Sequence, residues 1–225
     1  MNAQTRIEYT IEPDQDPLNP RTEWDNVGHM VCWHSRYNLG DEQPSEDPTE
    51  YLDNLAGLDD IKARIDTVID HFWNRRDWYG LETRLTNYLD KKRKTALQDY
   101  IVLPLYLYDH SGITMRCSPY SCPWDSGYVG FIYVSMDRAR KEWTGTDDEI
   151  REKATECLTG EVETYAQYLE GDVWGYTIER VTLDEDGDES DREELESCWG
   201  FFGHSYCEDE ARSIVNGYED HKEAA

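Results

Sequence analysis

The chain has 225 residues, ample for a real core, and carries 49 acidic against 22 basic side chains, a net charge of −27. That balance argues against binding nucleic acid or an anionic membrane surface and favours a cationic partner or a saline environment. Its 16 Tyr and 8 Trp exclude a disordered acidic tail.

No stretch approaches the ~20 apolar residues of a membrane span. Met1 to Thr10 lacks the basic-then-apolar pattern of a signal peptide, so a protein of the host-cell cytoplasm is expected. The charge is uneven. Residues 1–60 hold 3 basic and 14 acidic side chains, residues 61–95 hold 9 and 5, residues 96–144 hold 4 and 5, and residues 145–225 hold 6 and 25.

In chain order, residues 5–12 alternate as a strand, and Pro13 to Pro20 reads as a connection. His29 to His34 forms a short strand candidate. Asp47-Pro48 with Glu50 supplies an N-cap, a first-turn proline and a capping acid for a helix ending near Gly57. From Asp59, Ile61, Ile65, Val68, Ile69 and Phe72 share one helical face; Leu81, Leu85, Tyr88 and Leu89 repeat the pattern. The run Lys91 to Lys94 closes that helix favourably for its dipole.

The middle is β: residues 100–108, 113–117 and 128–135 are strands, the first placed at an edge or bulge by Pro104. Thr146 and Glu149 form a second capping box, opening a helix with the stripe Ile150, Ala154, Cys157, Leu158, Tyr165 and Leu169. Gly160 is a possible break and Gly171 a C-cap. Strands at 172–182 and 195–202 flank an acidic loop, Asp184 to Glu194, and a last helix covers about 208–217. The expectation is a single α+β domain over residues 1–225, its antiparallel sheet built from the five strands between 100 and 202 and flanked by helices. An acidic N-terminal segment (1–60) and an acidic C-terminal part (145–225) belong to the same domain.

Several residue groups suggest chemistry. Cys32 and His34 share a strand face, with His29 nearby, as a nucleophile–base pair or metal ligands would; no third orienting group accompanies them. Cys117, Cys122, Cys198, His204 and Cys207 are zinc-ligand types, at looser spacing than paired C-x2-C motifs. Thr182 to Glu193 approaches a calcium loop but has Thr182 where the first Asp belongs, so a solvated hairpin loop is expected. The loop Ser118 to Gly127 offers Trp124 and Asp125, either as an interface anchor or as cover for the end of the core.

The segments Leu103 to Met115 (LPLYLYDHSGITM), Ser121 to Gly127 (SCPWDSG), Val129 to Val134 (VGFIYV), Gly160 to Tyr165 (GEVETY) and Ser197 to Phe201 (SCWGF) resemble those of an uncharacterised family of phage- and plasmid-encoded acidic proteins. The resemblance covers roughly residues 100–203 and implies mobile-element origin. It carries over no catalytic residue.

The combined expectation is an interaction protein rather than an enzyme, without metal or cofactor: a DNA-mimic-like inhibitor of a host nucleic-acid-targeting defence system such as CRISPR or restriction. It would present carboxylates to a basic protein surface and bind no nucleic acid itself. The expected partner-binding residues are Asp147, Asp148, Glu149, Glu152, Glu156, Glu161 and Glu163 on one helix; Asp184, Glu185, Asp186, Asp188 and Asp191 in the loop; and Trp124 with Asp125. The basic run Lys91 to Lys94 leaves a homodimer open. The alternatives are a metal-dependent or hydrolytic enzyme using the Cys/His groups, or a replication or virion accessory protein whose acidity, with 15 Arg to 7 Lys, reflects a saline host.

Overall fold

The computed structural model describes the backbone of residues 4–72 and 78–223 and the side chains of 4–68, 71 and 80–219. The side chains of Ile69 and Phe72, expected on the first long apolar stripe, lie outside the described residues. The fold is α+β with antiparallel sheets, as the alternation of helical and strand periodicities requires. The strands do not form one sheet. They divide into a three-stranded sheet and a four-stranded sheet, and the chain into two compact units.

The first unit comprises residues 1–24, 108–115 and 162–225. Its sheet has the order β1-β6-β7, with β1 (Gln4–Pro13) and β7 (Glu189–Phe202) both antiparallel to β6 (Val173–Leu183). One face packs on α7 (His204–Glu223): Tyr176 and Ile178 of the central strand bury against Cys207, Ala211 and Val215, and Ile7, Tyr9, Ile11 and Phe201 close the sides. A four-residue helix, α1 (Pro20–Glu23), precedes the boundary; Asn19 caps it by accepting from Arg21 N.

On the sheet's other face the Trp199 ring lies over Gly175, where an added Cβ would stand 2.1 Å from the indole. The central strand was expected to join the mid-chain strands. It pairs instead with the N-terminal strand residue for residue, Gln4↔Leu183 to Pro13↔Trp174, a long-range partner that local pattern does not name.

The second unit comprises residues 25–107 and 116–161. The four-stranded sheet has the order β2-β5-β3-β4, with β2 at His29–Cys32, β3 at Tyr100–Asp109, β4 at Ile113–Arg116 and β5 at Ser126–Ser135. Val129, Phe131, Ile132 and Val134 are buried, so β5 is apolar on both faces. Gly130 lets β2 approach: a Cβ there would meet the Val31 carbonyl oxygen at 2.0 Å.

Pro104 sits in an interior strand, not at an edge. It lies on β3 between β5 and β4, and its side chain is exposed. Around this sheet lie α2 (Pro48–Leu55), α3 (Asp59–Phe72), α4 (Trp78–Ala96) and the short α5 (Met136–Glu142). The long helix α6 (Asp147–Glu170) runs through Gly160 without a break and ends before Gly171 at φ 73°.

Candidate functional site

The expected carboxylates fall into two groups, those held by the fold and those left to solvent. At the start of α6 the capping box forms: Thr146 N donates to Glu149 Oε2 at 2.8 Å, and Glu149 N donates to Thr146 Oγ1 at 3.4 Å. The backbone N–H of Thr146 holds the Glu149 carboxyl below its ordinary range. Asp147 takes a bidentate pair from Arg140, Nε at 3.1 Å and Nη2 at 3.0 Å, and the hydrogen bond from that guanidinium lowers its carboxyl.

Glu161 is half-buried and accepts from Val27 N at 2.7 Å and Gly28 N at 3.2 Å, so it ties the entry to β2 onto the helix. These three carboxylates do structural work. Asp148, Glu152 and Glu156 are exposed and recur every fourth residue, a row with about 6 Å between neighbours along the axis; Glu163, two turns on, is exposed as well.

The second acidic group is the β6–β7 hairpin. The sequence suggests a loop from Asp184 to Glu194, but only Asp184 to Asp188 turn; Glu189 onward is strand, paired to β6 despite the poor β-propensity of consecutive acids. Asp184 Oδ1 accepts from Asp186 N at 3.0 Å and Asp188 N at 2.9 Å, an Asx-type turn completed by Gly187 at φ 86°. Asp184, Glu185, Asp186, Asp188 and Asp191 are all exposed.

Arg192 makes the acidic strand tolerable. It contacts Glu179 at 2.6 Å, Glu189 at 2.8 Å and Glu8 at 3.4 Å, joining all three strands of the sheet. Its pKa is raised by the hydrogen bonds to Glu189 and then Glu179, and Glu189 is lowered in return.

Trp124 does not cover a core: its side chain is 91% exposed. The loop beneath it is braced. Arg116 stacks over Tyr120 at 3.8 Å and donates Nε to Ser118 O at 2.9 Å, with a second bond to Pro119 O. Cys122 Sγ donates to Asp125 Oδ2 at 3.4 Å, and Ser126 Oγ donates to Cys122 O. A large aromatic held out on a braced loop pays little ordering entropy on docking.

The Cys/His groups resolve differently from their sequence pattern. β2 ends at Cys32, so His34 lies beyond the strand, and its Nδ1 accepts from Arg36 N and Tyr37 N in a local turn. Cys32 and Cys207 are fully buried. Burial raises the Cys207 thiol, the environment of an unreactive core cysteine. None of the six cysteines is in a disulfide. Among the described residues no group of three or more His, Cys, Asp or Glu is arranged to hold a metal ion.

One polar cluster had no signal in the sequence, because its members come from separate elements. Tyr51 hydrogen-bonds Glu42 Oε2 at 3.1 Å and the Tyr133 hydroxyl at 3.2 Å, and His29 Nε2 meets the same Glu42 oxygen at 3.0 Å. The β2–β5 register sets His29 opposite Tyr133, which brings the group together. Burial raises both tyrosines, and hydrogen bonding raises Tyr51 further, so the phenols stay neutral donors that fasten the 41–42 segment to the sheet.

Comparison with protein-family models, curated proteins and solved structures finds no match to this chain. Among the described residues no helix is long and apolar enough to cross a membrane.

Proposed function

We propose that this chain is an interaction protein of mobile-element origin whose exposed carboxylates occupy a basic surface that a host defence effector, of the CRISPR or restriction kind, uses to grip nucleic acid. The observation that carries the reading is the set of exposed acids that the fold does not consume: Asp148, Glu152 and Glu156 at helical spacing on one element, and Glu185, Asp186, Asp188 and Asp191 in the β6–β7 hairpin. Duplex DNA carries one negative charge per ~1.7 Å of axis, so a protein built to hold phosphates is attracted to a dense, fixed array of carboxylates. Trp124 supplies what charge alone lacks, an apolar anchor able to set register on one partner.

The test is capture from the natural host at low salt, followed by competition. The expected partner is a nucleic-acid-binding effector that duplex DNA displaces from this chain. Trp124→Ala should weaken its binding by about 2 kcal/mol or more without loss of fold. An effector that holds DNA and this chain at once would overturn the reading.

A further inference from the structure

Among the described residues the β1-β6-β7 sheet ends at β7, with no strand on its outer side. That edge is 14 residues long, against ~5–6 for an ordinary strand. Proteins blunt exposed edges with charged side chains, bulges, prolines or very short strands, because unpaired N–H and C=O groups template another chain. The guards of β7 are acids and register shifts, and its acids repel an acidic strand but attract a basic one. β7 has neither Lys nor Pro, and residues 189–194 and 196–200 are exposed. Register shifts at 178/179 and 174/175 leave two regular runs, Asp191–Glu194 and Glu196–Trp199.

Pairing with β6 places Asp191, Glu193 and Glu196 on the face that carries Ile178, and Glu194 and Trp199 on the opposite face. Glu193 is taken by Arg180 at 2.6 Å. Asp191, Glu194 and Glu196 have no cationic partner among the described residues, and Trp199 is 46% exposed. A second copy is the wrong occupant, since β7 against β7 would set carboxylates opposite carboxylates.

We infer that β7 accepts an extended Lys/Arg-rich segment of the partner protein by strand addition. Main-chain hydrogen bonds run along the open edge, cations of the segment meet Asp191 and Glu196 on one face, and others meet Glu194 and the Trp199 ring separately on the other. The inference rests on the cationic partner proposed above and names how part of it is held.

The probe is an acetylated, amidated octapeptide Thr-Arg-Arg-Thr-Thr-Arg-Arg-Thr, which presents arginines on both faces when extended, compared with the same peptide N-methylated at every amide. The expected result is binding at low salt with slowed amide exchange in residues 189–202. N-methylation should weaken binding about tenfold or more, as should the triple variant Asp191→Asn, Glu194→Gln, Glu196→Gln. Equal binding of both peptides without protection of β7 would overturn strand addition and leave carboxylate docking standing. Binding of neither peptide would also overturn it. Protection of β7 by the peptide, combined with an effector that fails to compete with DNA, would instead sink the DNA-mimic reading alone.

Discussion

Asp53 shows how differently two charges of the same sequence class end up. Most acids of this chain stay in water, but Asp53 is 1% exposed on α2 and accepts from Arg93 of α4, Nε at 2.6 Å and Nη2 at 3.0 Å. Asp90 takes a third bond from the same guanidinium, whose pKa is raised chiefly by the hydrogen bond to Asp53. The run Lys91 to Lys94 reads from sequence as a solvated helix end. In the structure α4 continues to Ala96, and Arg93 turns inward to clamp two helices 40 residues apart. Periodicity does not show which member of a basic run faces in, because the partner is remote. Removing Arg93 leaves the Asp53 carboxylate buried and unpaired, so Arg93→Ala should lower unfolding free energy by about 3 kcal/mol, and Asp53→Ala by less, because Arg93 keeps Asp90. Denaturant titration of both singles and of the Asp53→Leu/Arg93→Met double variant checks this. The double variant should recover most of the loss, and additive losses would contradict a coupled pair.

Elements with a local signature were legible. The boundaries of β1, α2 and α3 follow the alternation, the Asp47-Pro48 cap and the apolar stripe, and the Thr146/Glu149 box marks the start of α6 to within a residue. Pairing partners were not legible, nor was the strand character of Glu189 to Glu194, because both depend on β6 and not on the residues' own preferences. Of the expected interface, the sequence located the acids but could not separate Asp147, Glu149 and Glu161, which the fold uses, from Asp148, Glu152 and Glu156, which it leaves exposed.

The caps carry a pH dependence with a definite sign. Asp47 is lowered by the backbone N–H groups of Glu50 and Thr49, and Glu149 by that of Thr146. A carboxyl whose folded pKa lies below its unfolded value stabilises fully above the unfolded value, about 4, and loses that contribution as pH falls through the folded one. The first turns of α2 and α6 should therefore fray below about pH 4. With amide exchange at Thr49, Glu50, Thr146 and Glu149 followed from pH 6 downward, their protection factors, taken relative to the intrinsic chemical rate at each pH, should fall there. In Glu149→Gln the acid-dependent step at Thr146 should vanish while that at Thr49 remains.

At the scale of the whole molecule, a net charge of −27 pulls stability and binding in opposite directions as salt is added. Self-repulsion destabilises the compact state, and screening relieves it, since the Debye length falls from ~30 Å at 0.01 M to ~8 Å at physiological ionic strength. Attraction to a basic partner is screened over the same range, so its affinity should fall as the protein's own stability rises. That contrast separates a functional acidic surface from adaptation to a saline host, which the scarcity of Lys would equally suit. Reversing Asp148, Glu152, Glu156 and Glu163 to Lys changes the net charge from −27 to −19. Exposed substitutions of this kind shift stability by only ~0.5 kcal/mol each, so the variant should fold. If the carboxylates form an interface, the wild type folds cooperatively at low salt, and the variant unfolds much as it does but no longer inhibits the effector at any salt concentration. Under saline adaptation the wild type needs molar salt to stay folded, and the variant tolerates low salt better while inhibiting as before. Thermal unfolding across a salt series, run beside an inhibition assay, distinguishes the two; full inhibition by the reversed variant would reject these four carboxylates as the docking surface.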